Sequence, residues 1–173
     1  MKVTYYAASS LDGYIAKSDG DVSWLDEIVT NFEETDYDEF FATVDGLVMG
    51  RKTYEFVKDY GSWPYGNKPV WVCTTGNIEA MEGCNLQTGN TPEEVFNQAK
   101  EMDVNHLWLV GGGRLASSFI EKNLLTNISV SLMPVILGGG IKLFGELPIH
   151  VRIKEESTKL YDSGFRQIEY LIE

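Results

Sequence analysis

Three apolar runs in this chain end in residues suited to holding an anion. Leu107-Trp108-Leu109-Val110 runs into Gly111-Gly112-Gly113-Arg114, with a helical pattern starting at Leu115. Glycine lets a backbone approach a phosphate closely, and the first-turn N–H groups of a following helix supply donors at its positive end. Val48-Met49-Gly50 is followed by Arg51, Lys52 and Thr53. Arg51 can fork onto phosphate oxygens, Lys52 adds a point charge, and Thr53 can cap the helix while facing a ligand. Val72-Cys73 ends in the paired hydroxyls of Thr74 and Thr75. Ligands of open α/β sheets bind beyond the carboxyl ends of the strands, so three such ends together point to a phosphorylated dinucleotide. A packing turn and a solvated cation pair are the plainer readings of the first two. Gly111, Gly113 and Ala116 also spell G-x-G-x-x-A, but a Rossmann unit needs an acid about 20 residues later. Position 131 is Ser, so that fingerprint is incomplete.

The elements that must position these groups are legible as an alternation. Residues 3–8, 46–49, 69–74, 107–110 and 128–132 are short, apolar and rich in β-branched residues, the pattern of strands buried on both faces of a largely parallel sheet. Tyr37, Phe40, Phe41 and Val44 share one helical face, with Thr35 as the expected N-cap. Thr91-Pro92-Glu93-Glu94 is a capping box with Pro at the first helical position, ahead of Val95, Phe96, Ala99 and Met102. Leu115, Ala116, Phe119 and Ile120 mark a helix directly after the glycines. Residues 151–160 and 165–172, around Asp162-Ser163-Gly164, predict an antiparallel C-terminal hairpin. The expected fold class is therefore α/β: a mostly parallel sheet flanked by helices, closed by that hairpin. No linker or repeat divides residues 1–173, so one domain is expected.

Composition narrows the partners. The 173 residues carry 14 Lys and Arg against 26 Asp and Glu, a formal charge of −12 that repels phosphate backbones and anionic lipid. Neither nucleic acid nor membrane is an expected partner. The N-terminus does not read as a signal peptide, and no apolar run approaches the roughly 18 residues of a membrane helix. A cytoplasmic location follows as the expectation. Cys73 and Cys84 fit neither a redox pair nor a zinc knuckle, and His106 and His150 stand apart, so no metal site is expected.

Four segments in order resemble the dihydrofolate-reductase-like superfamily: residues 7–16, 49–55, 110–114 and 134–144. Within it, Ser10-Leu11-Asp12-Gly13-Tyr14-Ile15-Ala16 and residues 134–144 are similar to the riboflavin-biosynthesis reductases, the RibD C-terminal domain family. The resemblance covers essentially the whole chain. It implies NADPH bound across the sheet, with Ala8 and Ile15 near the nicotinamide. Gly50, Arg51, Lys52 and Thr53 would meet phosphates, and Thr74 and Thr75 would flank the adenosine ribose phosphate. Val110, Gly111, Gly112, Gly113, Arg114 and Leu115 would hold the pyrophosphate region. Folate-type members carry an aromatic near the position of Leu115 or Ala116, which this chain lacks.

The family also implies a buried acid beside the hydride acceptor. Glu34 aligns with that position without gaps, while Glu33, Asp36 or Asp38 would serve with one; a solvated acidic cluster is the alternative. Asp12 is a second candidate, or a turn former ahead of Gly13. Trp24, Asp38 and Phe41 would line the substrate pocket, although Trp24 could equally be core. The implied activity is an NADPH-dependent reductase acting on a small heterocyclic or ribosyl-pyrimidine substrate, as a homodimer. The zinc deaminase signature H-x-E with P-C-x-x-C is missing. A dihydrofolate reductase and a non-catalytic NADPH-binding module are the alternatives.

Overall fold

The computed structural model describes residues 1–32 and 35–173. Eight strands form the main sheet, in the order β5-β4-β3-β6-β1-β7-β10-β9. They are β1 (Lys2–Ser10), β3 (Gly46–Gly50), β4 (Pro69–Cys73), β5 (Asn85–Gly89), β6 (His106–Gly111), β7 (Asn127–Met133), β9 (Ile153–Leu160) and β10 (Arg166–Ile172). The first six run parallel, whereas β10 is antiparallel to both β7 and β9. A separate two-stranded ribbon pairs β2 (Tyr14–Ala16) with β8 (Ile141–Lys142). The mostly parallel sheet and its closing antiparallel hairpin are thus present as expected.

Alternating side chains build a core on each face. Val3, Tyr5, Val48, Trp71, Leu107 and Leu109 face α3 (Pro92–Glu101) and α4 (Gly113–Glu121). Leu47, Met49, Val70, Val72 and Trp108 face α1 (Tyr37–Ala42) and α2 (Arg51–Asp59). Both faces being covered is why the central strands read as continuous apolar runs. Tyr6 stacks on Phe40 with ring centroids 4.3 Å apart, and Trp108 meets Phe40 edge-on at 5.5 Å, which seats the short α1.

Helix starts follow the sequence with small shifts. Thr91 caps α3 by accepting from the Glu94 amide at 3.2 Å, while the Glu94 carboxylate accepts from Asn90 N–H rather than Thr91. Asp36, not Thr35, holds the N-cap position of α1 and makes no side-chain cap bond; Thr35 Oγ1 accepts from Tyr37 N–H, the first helical amide, at 3.4 Å and donates to the Phe32 carbonyl at 2.8 Å. Gly50 is the N-cap of α2, so Thr53 lies inside the first turn and is not a cap.

Order along the sheet reverses around β1. The chain steps from β1 outward through β3, β4 and β5, returns to insert β6 between β3 and β1, and places β7 on the far side of β1. Such a reversal opens a crevice beyond the carboxyl ends of the strands, the usual place for a ligand in an open α/β sheet.

Candidate active site

Glycines hold that crevice open. Gly50 ends β3 and Gly111 ends β6; a β-carbon on Gly50 would lie 3.8 Å from the Gly111 carbonyl oxygen. One on Gly111 or Gly112 would lie 3.7 or 3.8 Å from Thr53 Oγ1. A β-carbon at any of the three would fill the groove where backbone N–H groups and the Thr53 hydroxyl converge. Gly112 is the N-cap of α4 and Gly50 that of α2, so two nine-residue helices begin at this spot. Two helix N-termini and a hydroxyl are the donor set a pyrophosphate needs.

The end of β4 extends the groove. Arg51 Nη1 donates to the Asn77 carbonyl at 3.2 Å, while its Nε donates to Glu55 at 2.7 Å. Gly76 leaves the space for this guanidinium, since a β-carbon there would lie 2.6 Å from Nη1. Thr74 Oγ1 accepts from Gly76 N–H at 3.2 Å, and the adjacent Thr75 is exposed, as is Lys52 at the start of α2. Arg51, Thr74 and Gly76 therefore meet at one corner, chemistry that suits an additional phosphate. The residues present fit a phosphorylated dinucleotide.

Beside the crevice lies a cavity of about 180 Å³. Ala8 from β1, Ser131 and Met133 from β7, Tyr37 from α1, Leu25 from the 3₁₀ turn Ser23–Leu25 and Phe165 from a loop bound it. Tyr6, Asp26 and Thr35 add polar atoms. Burial pushes the Tyr6 hydroxyl well above the ordinary phenol value, and Tyr161 adds to the shift. Burial likewise raises Tyr37, to about 12, with Asp38 adding to it. Both phenols therefore stay neutral and serve as hydrogen-bond partners rather than anions. An open groove of about 490 Å³ between residues 17–19 and 137–139 is a weaker candidate, because its Lys17 is already paired with Asp21 at 2.8 Å.

Several expected site residues have other duties. Asp12 accepts from Ser10 Oγ at 2.6 Å, Gly138 N–H at 2.7 Å and Leu137 N–H at 3.1 Å. These bonds, the Ser10 bond foremost, lower its pKa, so it is a clamp on the 137–138 turn and a poor proton donor. Trp24 packs with Met133, Tyr161 and Phe165, and its Nε1 has no acceptor among the described residues. Phe41 lies parallel to Tyr37 at 5.9 Å beneath Lys68, within the α1 and α2 core. Asp38 is exposed on α1. None of Trp24, Phe41 and Asp38 lines the cavity; their chain neighbours Leu25 and Tyr37 do.

The cofactor set divides in the same way. Gly113 is buried against the backbone of Lys142 and Leu143, and Leu115 packs into the α3 and α4 core, so both are packing residues. Val110 packs against the opposite core, and Arg114 is exposed at the start of α4. Ala8 borders the cavity, while Ile15 is half-buried on β2, outside its lining. Glu34, with Glu33, lies outside the described residues. Among the described residues no cluster suits a metal ion, and no helix is long and apolar enough to cross a membrane.

Tyr6, Asp26 and Ser131 were not anticipated as site residues. A signal existed for one of them: Ser129 and Ser131 interrupt an apolar strand two residues apart, which puts both hydroxyls on one face.

This sheet order, with a glycine-lined crevice beside a small cavity, defines the dihydrofolate-reductase-like fold. The dihydrofolate reductase of Enterococcus faecalis complexed with NADP(H) superposes with a TM-score of 0.71 at 18% identity, over 99% of this chain and 96% of that one. The chain belongs to the RibD C-terminal domain family, which matches residues 1–166. It is 33% identical to the Bacillus subtilis protein YwjB over 98% of this chain and 97% of that one. A crystal structure of a Shewanella sp. PV-4 protein named for riboflavin biosynthesis superposes with a TM-score of 0.89 at 29% identity, covering 100% of this chain and 99% of its own.

Proposed function

We propose that this chain is an NADPH-dependent reductase of a small heterocyclic or ribosyl-pyrimidine substrate, similar in activity to 5-amino-6-(5-phosphoribosylamino)uracil reductases. One observation carries the reading: the glycine-lined crevice at Gly50, Thr53, Gly111 and Gly112 lies at the carboxyl ends of β3 and β6, in the same sheet whose β1 residue Ala8 lines the cavity. Bound NADPH would supply the hydride. This chain's residues would position it and keep water out. Gly50, Thr53, Gly111 and Gly112 would hold the pyrophosphate, and Arg51 with Lys52, Thr74 and Thr75 the adenosine-side phosphate. Ala8 would leave room for the nicotinamide ring against β1.

The cavity suits the acceptor substrate. Its volume falls below the roughly 300–1,000 Å³ of pockets for larger ligands, so it takes a single ring with the remainder outside. Asp26 is the one carboxylate among the described residues that line the cavity, and it is exposed to solvent. We further propose that residues 1–173 act as one domain in the cytoplasm and pair as a homodimer. The exposed edge strand β9, open on both faces along its length, supplies an unpaired backbone for a second copy.

The test is nicotinamide oxidation with NADPH and, in separate reactions, the ribosylamino-pyrimidine of riboflavin synthesis and dihydrofolate. Turnover of the first alone is the expected result. Turnover of dihydrofolate alone would reassign the substrate, and binding of NADPH without turnover of either would favour a non-catalytic module. Sedimentation of a 19.4 kDa species at micromolar concentration would refute the homodimer.

A further inference from the structure

Four side chains on adjacent strands form a continuous hydrogen-bonded polar row. Pairing of β7 with β10 sets Ser131 opposite Gln167 and Ser129 opposite Glu169. Ser129, Ser131 and Gln167 are buried, at 1%, 6% and 7% exposure. Ser129 Oγ bonds to Glu169 Oε1 at 2.5 Å, Gln167 Nε2 to Ser129 Oγ at 2.5 Å, and Ser131 Oγ to Gln167 Oε1.

The direction of every bond in this row follows from its outer end. A carboxylate only accepts, so the Ser129 proton points to Glu169. Having committed its proton there, the Ser129 oxygen must accept, and only the amide nitrogen of Gln167 can donate to it. That settles which way the Gln167 amide faces without appeal to electron density. Its carbonyl oxygen then faces Ser131 and must receive the Ser131 proton. The Ser131 oxygen is left with acceptor capacity alone. Ser131 lines the cavity, so that acceptor capacity is available to a ligand.

We propose that Ser131 is the specificity-determining acceptor of the substrate cavity, held in that state by Gln167, Ser129 and Glu169, and that it selects a ring carrying an N–H donor. The inference deepens the reductase reading and rests on it for the identity of the ligand. A ring presenting a carbonyl or an N-methyl group at Ser131 leaves a buried acceptor unpaired, which is how sites built for a donor reject analogues that lack one. Glu169 is a positioning residue: it contacts no ligand and acts through three intervening bonds.

Two measurements test this, neither requiring turnover. The first compares uracil with 1,3-dimethyluracil by NMR titration of the wild-type protein. Uracil should bind at least about tenfold tighter, the difference expected from one buried hydrogen bond. Ser131→Ala should remove most of that difference. Glu169→Gln should also shrink it with the cavity wall intact, because an amide at position 169 can donate to Ser129 and let the whole row reverse. Equal affinity of the wild type for the two rings, or no binding of uracil, overturns the proposal. So does full discrimination by both variants. The second is a neutron structure of the deuterated protein. A Ser131 deuteron directed at Gln167 supports the proposal, and one directed into the cavity overturns it. A protein that discriminates the rings yet never oxidises NADPH would fail as a reductase and keep Ser131 as its acceptor.

Discussion

Gly113 and Leu143 meet backbone to backbone: a β-carbon on Gly113 would lie 2.6 Å from the Leu143 carbonyl oxygen. Gly145 N–H donates to the Gly113 carbonyl at 3.0 Å in the same contact. The third glycine of the 111–113 run therefore anchors the 142–145 segment against the start of α4. Gly113→Ala must displace backbone, and overpacking of this kind costs about 1–3 kcal/mol. Urea denaturation should show that loss with bound and free protein alike. An alanine variant of wild-type stability would mean that the 142–145 segment is not seated on α4.

Gly50 should behave oppositely. Its φ of −77° and ψ of 161° suit any residue, and an added β-carbon would have its nearest neighbour at 3.8 Å. Gly50→Ala should leave folding stability within roughly 0.5 kcal/mol of wild type. It should nonetheless weaken NADPH about tenfold or more, because the methyl group projects into the groove that the pyrophosphate needs. Fluorescence titration of NADPH reads this directly. An unchanged dissociation constant would remove Gly50 from the cofactor site.

Arg51 should separate the two nicotinamide cofactors. Its side chain is 46% exposed and its pair with Glu55 is a surface i,i+4 contact, so its loss should change folding stability little. If the guanidinium meets the adenosine-side phosphate, Arg51→Ala should cost about 1.5–3 kcal/mol in NADPH binding and much less for NADH. Equal losses for the two cofactors would return Arg51 to a role in tethering Asn77.

The contrast among these residues shows what could be read before the fold was known. Strands buried on both faces announce themselves as apolar runs, and β1, β3, β4, β6 and β7 all did. β5, Asn-Leu-Gln-Thr-Gly, lies at the sheet edge with one neighbour and carries too little apolar surface to be seen. The three strand ends were legible as a candidate phosphate site because glycines, cations and hydroxyls there form a short local pattern. The substrate side was not, because its wall is assembled from β1, β7, α1 and two loops, and no local pattern joins Tyr6 to Ser131 or Phe165. Aromatic residues near the expected pocket were equally uninformative. Phe41 and Tyr37 are four apart on one helix, yet one faces the core and the other also reaches the cavity. Their types alone could not separate them.

Asp12 gives the last prediction, through acid stability. Its bonds from Ser10, Leu137 and Gly138 favour the ionised carboxylate and depress its folded-state pKa below the unfolded value. A group shifted in that direction stabilises the fold fully above its unfolded pKa, and the contribution disappears as pH falls through the folded pKa. Wild-type protein should therefore lose the 137–138 turn in strongly acidic solution, below the ordinary carboxylate range. Hydrogen exchange at the Leu137 and Gly138 amides should accelerate there. Asp12→Ala should show fast exchange at both amides already at neutral pH. Asp12→Asn, which keeps one acceptor oxygen, should fall between the two and lose the acid-dependent step. Activity distinguishes the clamp from a proton donor: a clamp variant keeps substantial turnover at neutral pH, whereas loss of an essential acid abolishes it in Asp12→Asn and Asp12→Ala equally. Abolished turnover in Asp12→Asn with slow exchange at Leu137 and Gly138 would reinstate Asp12 as catalytic.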